Sequence, residues 1–173
     1  MHVVIATDGT MDVDAAGRFA TALAGADGRV TVLTIVEVNR NLLRSLRAIY
    51  GERHPPPVDG DAEYVGVQTA GSPPDAGWPG DDEMISRYLD QQREARTAPL
   101  IAALEEAGAD AAVEAREGED PAAGILAAIR EAEADVVVVG SHGSGVFEGL
   151  LGSVGTKVAR RAPCPVLVLR ESP

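Results

Sequence analysis

The stretch best equipped for chemistry is Val136–Lys157, VVVVGSHGSGVFEGLLGSVGTK. An apolar run ends at Gly140, and glycines follow at 143, 145, 149, 152 and 155. Glycines this dense let a backbone turn with positive φ and aim its N–H groups at a ligand. Gly152-Ser153 then opens a helical pattern. The first turn of a helix carries unsatisfied N–H groups and the positive end of the dipole, so it forms an anion site. Loop and helix start together suit a polyphosphate. Ser153 has two readings, a helix cap or a hydroxyl given to a phosphate, because both use the same geometry.

Two better-known phosphate motifs are excluded. A Walker A loop needs Gly-Lys-Ser/Thr, and this chain reads Gly155-Thr156-Lys157. A dinucleotide fingerprint needs G-x-G-x-x-G, but Gly143-x-Gly145 is followed at the required place by Glu148. Nor is there a G-x-S-x-G elbow, and only His142 offers a base near the glycines. Catalysis is therefore not expected beyond slow, incidental hydrolysis. The three histidines, His2, His54 and His142, make no metal-ligand spacing. The single cysteine, Cys164, can form no internal disulfide and reads as a small buried residue before the last strand.

The elements that must position this loop follow from hydrophobic period. His2–Ala6 is a short β-branched run ended by Thr7-Asp8-Gly9-Thr10, a strand and a turn. Ala15, Ala16, Phe19, Ala20, Leu23 and Ala24 recur at helical spacing, with Asp12 or Asp14 as cap and Gly25 and Gly28 as breakers. Arg29–Val36 is a second strand. A long amphipathic stretch within Asp82–Gly108 follows, with Pro99 expected to kink or split it. Ala111–Ala115 is a modest strand. Asp120 caps a helix that Pro121 opens and that runs through Glu133. Asp135–Val139, a helix over Ser153–Arg161 and the strand Pro165–Leu169 complete the chain. Apolar strands alternating with helices imply an α/β fold: five parallel strands, four crossover helices and both faces covered.

Between Val38 and about Glu83 the alternation fails. Asn41–Tyr50 reads as a short amphipathic helix, and His54–Gly80, rich in proline and glycine, as loosely packed chain that includes Trp78. The whole, residues 1–173, is expected to be one domain with a flexible insertion at about 39–82. Its 45% hydrophobic and 3% aromatic residues predict an aliphatic core. A net charge of −12 argues against nucleic acid and anionic membranes as partners but allows a small nucleotide. With no leader pattern, no apolar run long enough to span a bilayer and no cysteine pair, the expected compartment is the cytoplasm.

Five segments together resemble a known family. Gly140-Ser141-His142-Gly143, Gly152-Ser153-Val154 and Ala162-Pro163-Cys164-Pro165-Val166-Leu167-Val168 are similar to the C-terminal half of universal stress proteins. Val4-Ile5-Ala6-Thr7-Asp8-Gly9-Thr10 resembles that family's first strand and turn, and Glu117-Gly118-Glu119-Asp120-Pro121 the turn before its third helix. The resemblance covers residues 1–38 and about 83–171. It implies a sheet ordered 3-2-1-4-5, Rossmann-like and of the adenine nucleotide alpha hydrolase type. It also implies an ATP-binding branch marked by G-x-x-G, nine residues and G-S/T. Here Ser144–Leu151 makes the spacer eight residues, one short.

In such a sheet, ligands bind at the carboxyl ends of strands 1 and 4, where the crossovers part to opposite faces. Carried over from the resemblance, Ala6, Thr7 and Asp8 contact the nucleoside, and Val36 offers its backbone to adenine. Val139, Gly140, His142 and Gly143 line the ribose and α-phosphate, while Gly152, Ser153, Val154 and Gly155 face the outer phosphates. Asp8 reads equally as a turn aspartate bonding its own backbone, and Val36 as core. The implied ligand is ATP, with or without Mg2+, and the implied assembly a homodimer through the last strand, a short apolar edge. The alternative is a member that has lost ATP and works as a dimeric protein–protein module.

Overall fold

A computed structural model describes residues 1–38, 81–141 and 152–170. Contacts join Met1–Val38 and Arg87–Pro173 into one unit, the one described below. Of the other, Asn39–Ser86, only a helix start falls among the described residues. The helix expected over Asn41–Tyr50 and the looseness expected after it lie outside them, as do His142, Gly143 and the rest of 142–151.

The elements run β1 (His2–Ala6), α1 (Val13–Ala24), β2 (Arg29–Val36), α2 (Asp81–Glu106), β3 (Ala111–Glu117), α3 (Pro121–Glu131), β4 (Val136–Gly140), α4 (Ser153–Arg161) and β5 (Val166–Leu169). All strand pairs are parallel, and the order is β3-β2-β1-β4-β5. The expected α/β fold, five parallel strands in the order 3-2-1-4-5 with helices on both faces, is the one observed.

Each central strand is buried on both sides, so alternate residues feed two cores. Val3, Ile5, Val30, Val32, Val136 and Val138 pack with Ala16 and Ala20 of α1 and Leu100 and Leu104 of α2. On the other face Val4, Ala6, Leu33, Ile35, Val137 and Val139 pack with Ile125 and Ile129 of α3 and Val158 of α4. Continuous apolar runs such as VVVV are what a doubly covered parallel strand requires. Burying one such side chain contributes roughly 1.5–3 kcal/mol.

Helix ends obey local rules. Asp12 caps α1, its Oδ1 accepting from the Ala15 N–H at 2.9 Å. Gly25, at φ 69°, ends that helix. Gly17 lets α1 approach α2: a Cβ there would stand 2.9 Å from the Ala103 carbonyl oxygen. Pro99 neither ends nor divides α2, which runs from Asp81 to Glu106. Pro99 and Ala95, whose carbonyl loses its partner, are both exposed, so water can replace the missing bond. α3 stops two residues earlier than expected, with Glu133 turning at φ 48°, and β3 runs two residues further, to Glu117.

Candidate functional site

Because every strand points the same way, the sheet has one carboxyl edge. Ala6 pairs with Val139 and with Leu33, Val36 with Glu117, and Gly140 with Leu169. β2 therefore continues three residues past the end of β1, and that step shapes the edge.

The β1–α1 turn begins at Thr7, whose N–H makes a last sheet bond to the Leu33 carbonyl at 2.9 Å. Its buried hydroxyl accepts from the Gly9 N–H at 2.9 Å. Asp8 is exposed, and its Oδ1 accepts from the Thr10 N–H at 3.1 Å and the Thr10 hydroxyl at 2.6 Å. Asp8 thus does make the local bonds of a turn aspartate, while its side chain stays at the surface beside the end of β1.

On the neighbouring strand Val139 is buried and Gly140 half-buried. Ser141 donates its N–H to the Leu169 carbonyl at 2.7 Å and accepts from the Gly152 N–H at 2.9 Å. Residues 142–151 thus leave and return at one backbone hydrogen bond. Helix α4 starts at once. Its N-cap is Gly152, at φ −56° and ψ 162°, and no side chain caps it. The Thr156 N–H closes the first turn on the Gly152 carbonyl at 2.8 Å. The amides of Ser153, Val154 and Gly155 are the three that come before any helical acceptor exists. Ser153 is therefore the first helical residue, exposed, and not the cap. Of the four residues expected to face phosphates, Gly152 has already spent its N–H on Ser141.

Val36 is fully buried, and its carbonyl accepts from the Gly118 N–H at 3.1 Å. That carbonyl is turned toward β3. In a parallel ladder successive residues bond to opposite neighbours, so Ile35 turns its carbonyl toward β1. There β1 has already ended, and the guanidinium of Arg96 donates to it instead, Nη1 to O at 3.1 Å. Arg96 also donates from Nε to Gln92 Oε1 at 3.1 Å. Its backbone packs on the β1–α1 turn: a Cβ on Gly9, at φ 92°, would lie 3.3 Å from the Arg96 Cα.

The sequence reading missed Arg96. The available signal was its position one turn before Leu100 and two before Leu104, on the buried stripe of α2.

A charged pair flanks α4. Lys157 Nζ lies 3.2 Å from Asp120 Oδ2, and Asp120 caps α3 by accepting from Ala122 and Ala123. The Lys157 hydrogen bond, helped by the backbone N–H of Ala123, holds the Asp120 carboxyl below the ordinary aspartate range. Cys164 is half-buried, and burial pushes its thiol up, away from the reactive thiolate. Among the described residues no helix is long and apolar enough to cross a membrane.

The description "universal stress protein family" belongs to a family model that matches residues 1–170. The chain belongs to that family. No curated protein matches this universal stress protein, whereas solved structures do. The hypothetical protein MJ0577 aligns with a TM-score of 0.65 at 17% identity, over 99% of this chain and 96% of its own. A universal stress protein solved in complex with cAMP gives 0.53 at 22% identity, over 99% and 98%. The universal stress protein from Archaeoglobus fulgidus in complex with dAMP gives 0.55 at 19%, over 98% and 97%. At such identities the likeness is one of fold.

Proposed function

We propose that this universal stress protein binds an adenine nucleotide, ATP with or without Mg2+, in a regulatory role in the stress response and without efficient turnover. The observation that carries the reading is the start of α4. α1 and α3 are each closed by an aspartate, whereas α4 has a glycine cap, and among the described residues no side chain closes its first turn. The N–H groups of Ser153, Val154 and Gly155, with the Ser153 hydroxyl, would take the outer phosphates. Ala6, Thr7 and Asp8 would lie along the nucleoside, and Val139, Gly140, His142 and Gly143 along the ribose and α-phosphate. The Val36 region would meet the base through the neighbouring backbone. The cAMP and dAMP held by two relatives of the same fold support an adenine nucleotide. We read residues 1–173 as one domain with an insertion at about 39–82, in a cytoplasmic protein.

A second reading keeps the fold and drops the ligand. β5 is an edge strand of the sheet, with Val166, Leu167 and Val168 only half-buried, which favours pairing with a second copy. Such a homodimer serves either reading. The one-residue-short spacer, Ser144–Leu151, favours the ligand-free module.

Nucleotide content decides between them. Purified protein is denatured and its supernatant resolved by ion exchange, followed by titration of the emptied chain with Mg-ATP. About one adenine nucleotide per chain, lost in Gly143→Val, is the expected result. An empty protein that also fails to titrate moves the function to the dimeric module.

A further inference from the structure

The carboxyl edge presents one strand acceptor that the sheet itself leaves without a partner. Leu33 is the last residue of β2 whose carbonyl meets β1, through the Thr7 N–H. Two residues on, Ile35 turns its carbonyl the same way, but the chain at Gly9 gives its N–H to the Thr7 hydroxyl instead. Arg96 fills the gap from α2. Among the described residues this half-buried guanidinium has no carboxylate partner; its bonds go to two neutral oxygens, of Ile35 and Gln92. Its backbone is fixed by contact with Gly9. A cation thus stands between the turn that carries Asp8 and the end of β2, beside the strand end where the nucleotide reading puts the base.

We propose that Arg96 is a base-selecting residue, which makes the Ile35 carbonyl costly for a 6-aminopurine to use and offers a donor to a 6-oxopurine. This rests on the nucleotide reading above. An exocyclic amine can bond to the Ile35 carbonyl only if the guanidinium leaves, and a guanidinium that stays faces it donor to donor. A carbonyl at the same position accepts from Nη1 or Nη2 without displacing the rest of the side chain. A buried donor left facing a donor is penalised more heavily than a hydrogen bond is rewarded. The selection therefore acts mainly against adenine, so that this chain holds adenine nucleotides less tightly than its phosphate end alone would permit.

AMP and IMP differ only at purine position 6 and its adjoining N1 proton, so they separate this effect from phosphate binding. Calorimetric titration of the full chain with each is expected to give IMP an affinity equal to or above that of AMP. In Arg96→Met, which keeps the aliphatic stem against Gly9, the AMP-to-IMP affinity ratio is expected to rise at least tenfold. Arg96→Gln serves if the methionine variant does not fold, with the same direction expected; thermal melts establish which variants are native. An unchanged ratio with both nucleotides still bound overturns the proposal and leaves the nucleotide reading standing. So does a wild type that already prefers AMP as strongly as the variant does. A wild type that takes up neither AMP, IMP nor Mg-ATP overturns both.

Discussion

Helices α3 and α4 lie on the same face of the sheet, follow β3 and β4 in the chain, and begin in opposite ways. α3 starts with Asp120 and Pro121: a carboxylate accepts two first-turn amides, and proline at the first position removes a third donor. α4 starts with Gly152 and Ser153 and has no side-chain cap. Lys157, one of three cations on α4, is turned to Asp120. One helix start is thus closed by its own aspartate, and the other has a glycine cap that supplies no side chain. The difference teaches that an aspartate and a glycine, each ordinary at a helix start, carry functional information when compared within one molecule.

Making the two starts alike should break the comparison. Gly152→Asp places a capping carboxylate where φ −56° and ψ 162° suit any residue. The added charge and the loss of two phosphate bonds, at about 1.5 kcal/mol each, should weaken ATP binding about 100-fold. The same variant should gain a few tenths of a kcal/mol in stability, so calorimetry and melting move in opposite directions. Ser153→Ala should cost about tenfold in ATP affinity and leave stability within about 0.5 kcal/mol, because the residue is not the cap. A loss of stability comparable to that of a true cap would show that Ser153 does cap. Asp12→Ala supplies that standard: about 1 kcal/mol lost in urea unfolding, or about fivefold in the unfolding constant.

The smallest effect concerns Lys157→Met. Asp120 is depressed in the folded state, so its contribution to stability is complete above the unfolded aspartate value, about 3.9. It declines as pH falls through that value and is gone below the folded one. Removing Lys157 should raise the Asp120 titration point in NMR and narrow that acid limb, with little change at neutral pH because the pair is exposed.

The strands and helices were legible because each carries its own period: HVVIA, RVTVLTIV and VVVV can only be covered strands, and Asp12 and Asp120 announce their helices. What resisted reading depends on pairing across the chain. Which of Val36 and Ile35 turns its carbonyl toward β1 follows from strand register, which no single strand encodes. Arg96 lies 61 residues from the carbonyl it serves and looks, in sequence, like any helical arginine. Pro99 does not split its helix, since a proline on an exposed helix face loses a bond that water can replace. Ser153 against Gly152 was a one-residue ambiguity that only backbone angles resolve.

The hydrogen bond from Gly152 to Ser141 has a consequence in polymer terms. It joins two residues that ten others separate in the chain. Closure entropy grows only with the logarithm of the length closed, so one residue more or less changes it by about 0.1 kcal/mol. A change of contour length at those fixed ends therefore costs almost nothing in chain entropy, and any cost it carries must lie in contacts.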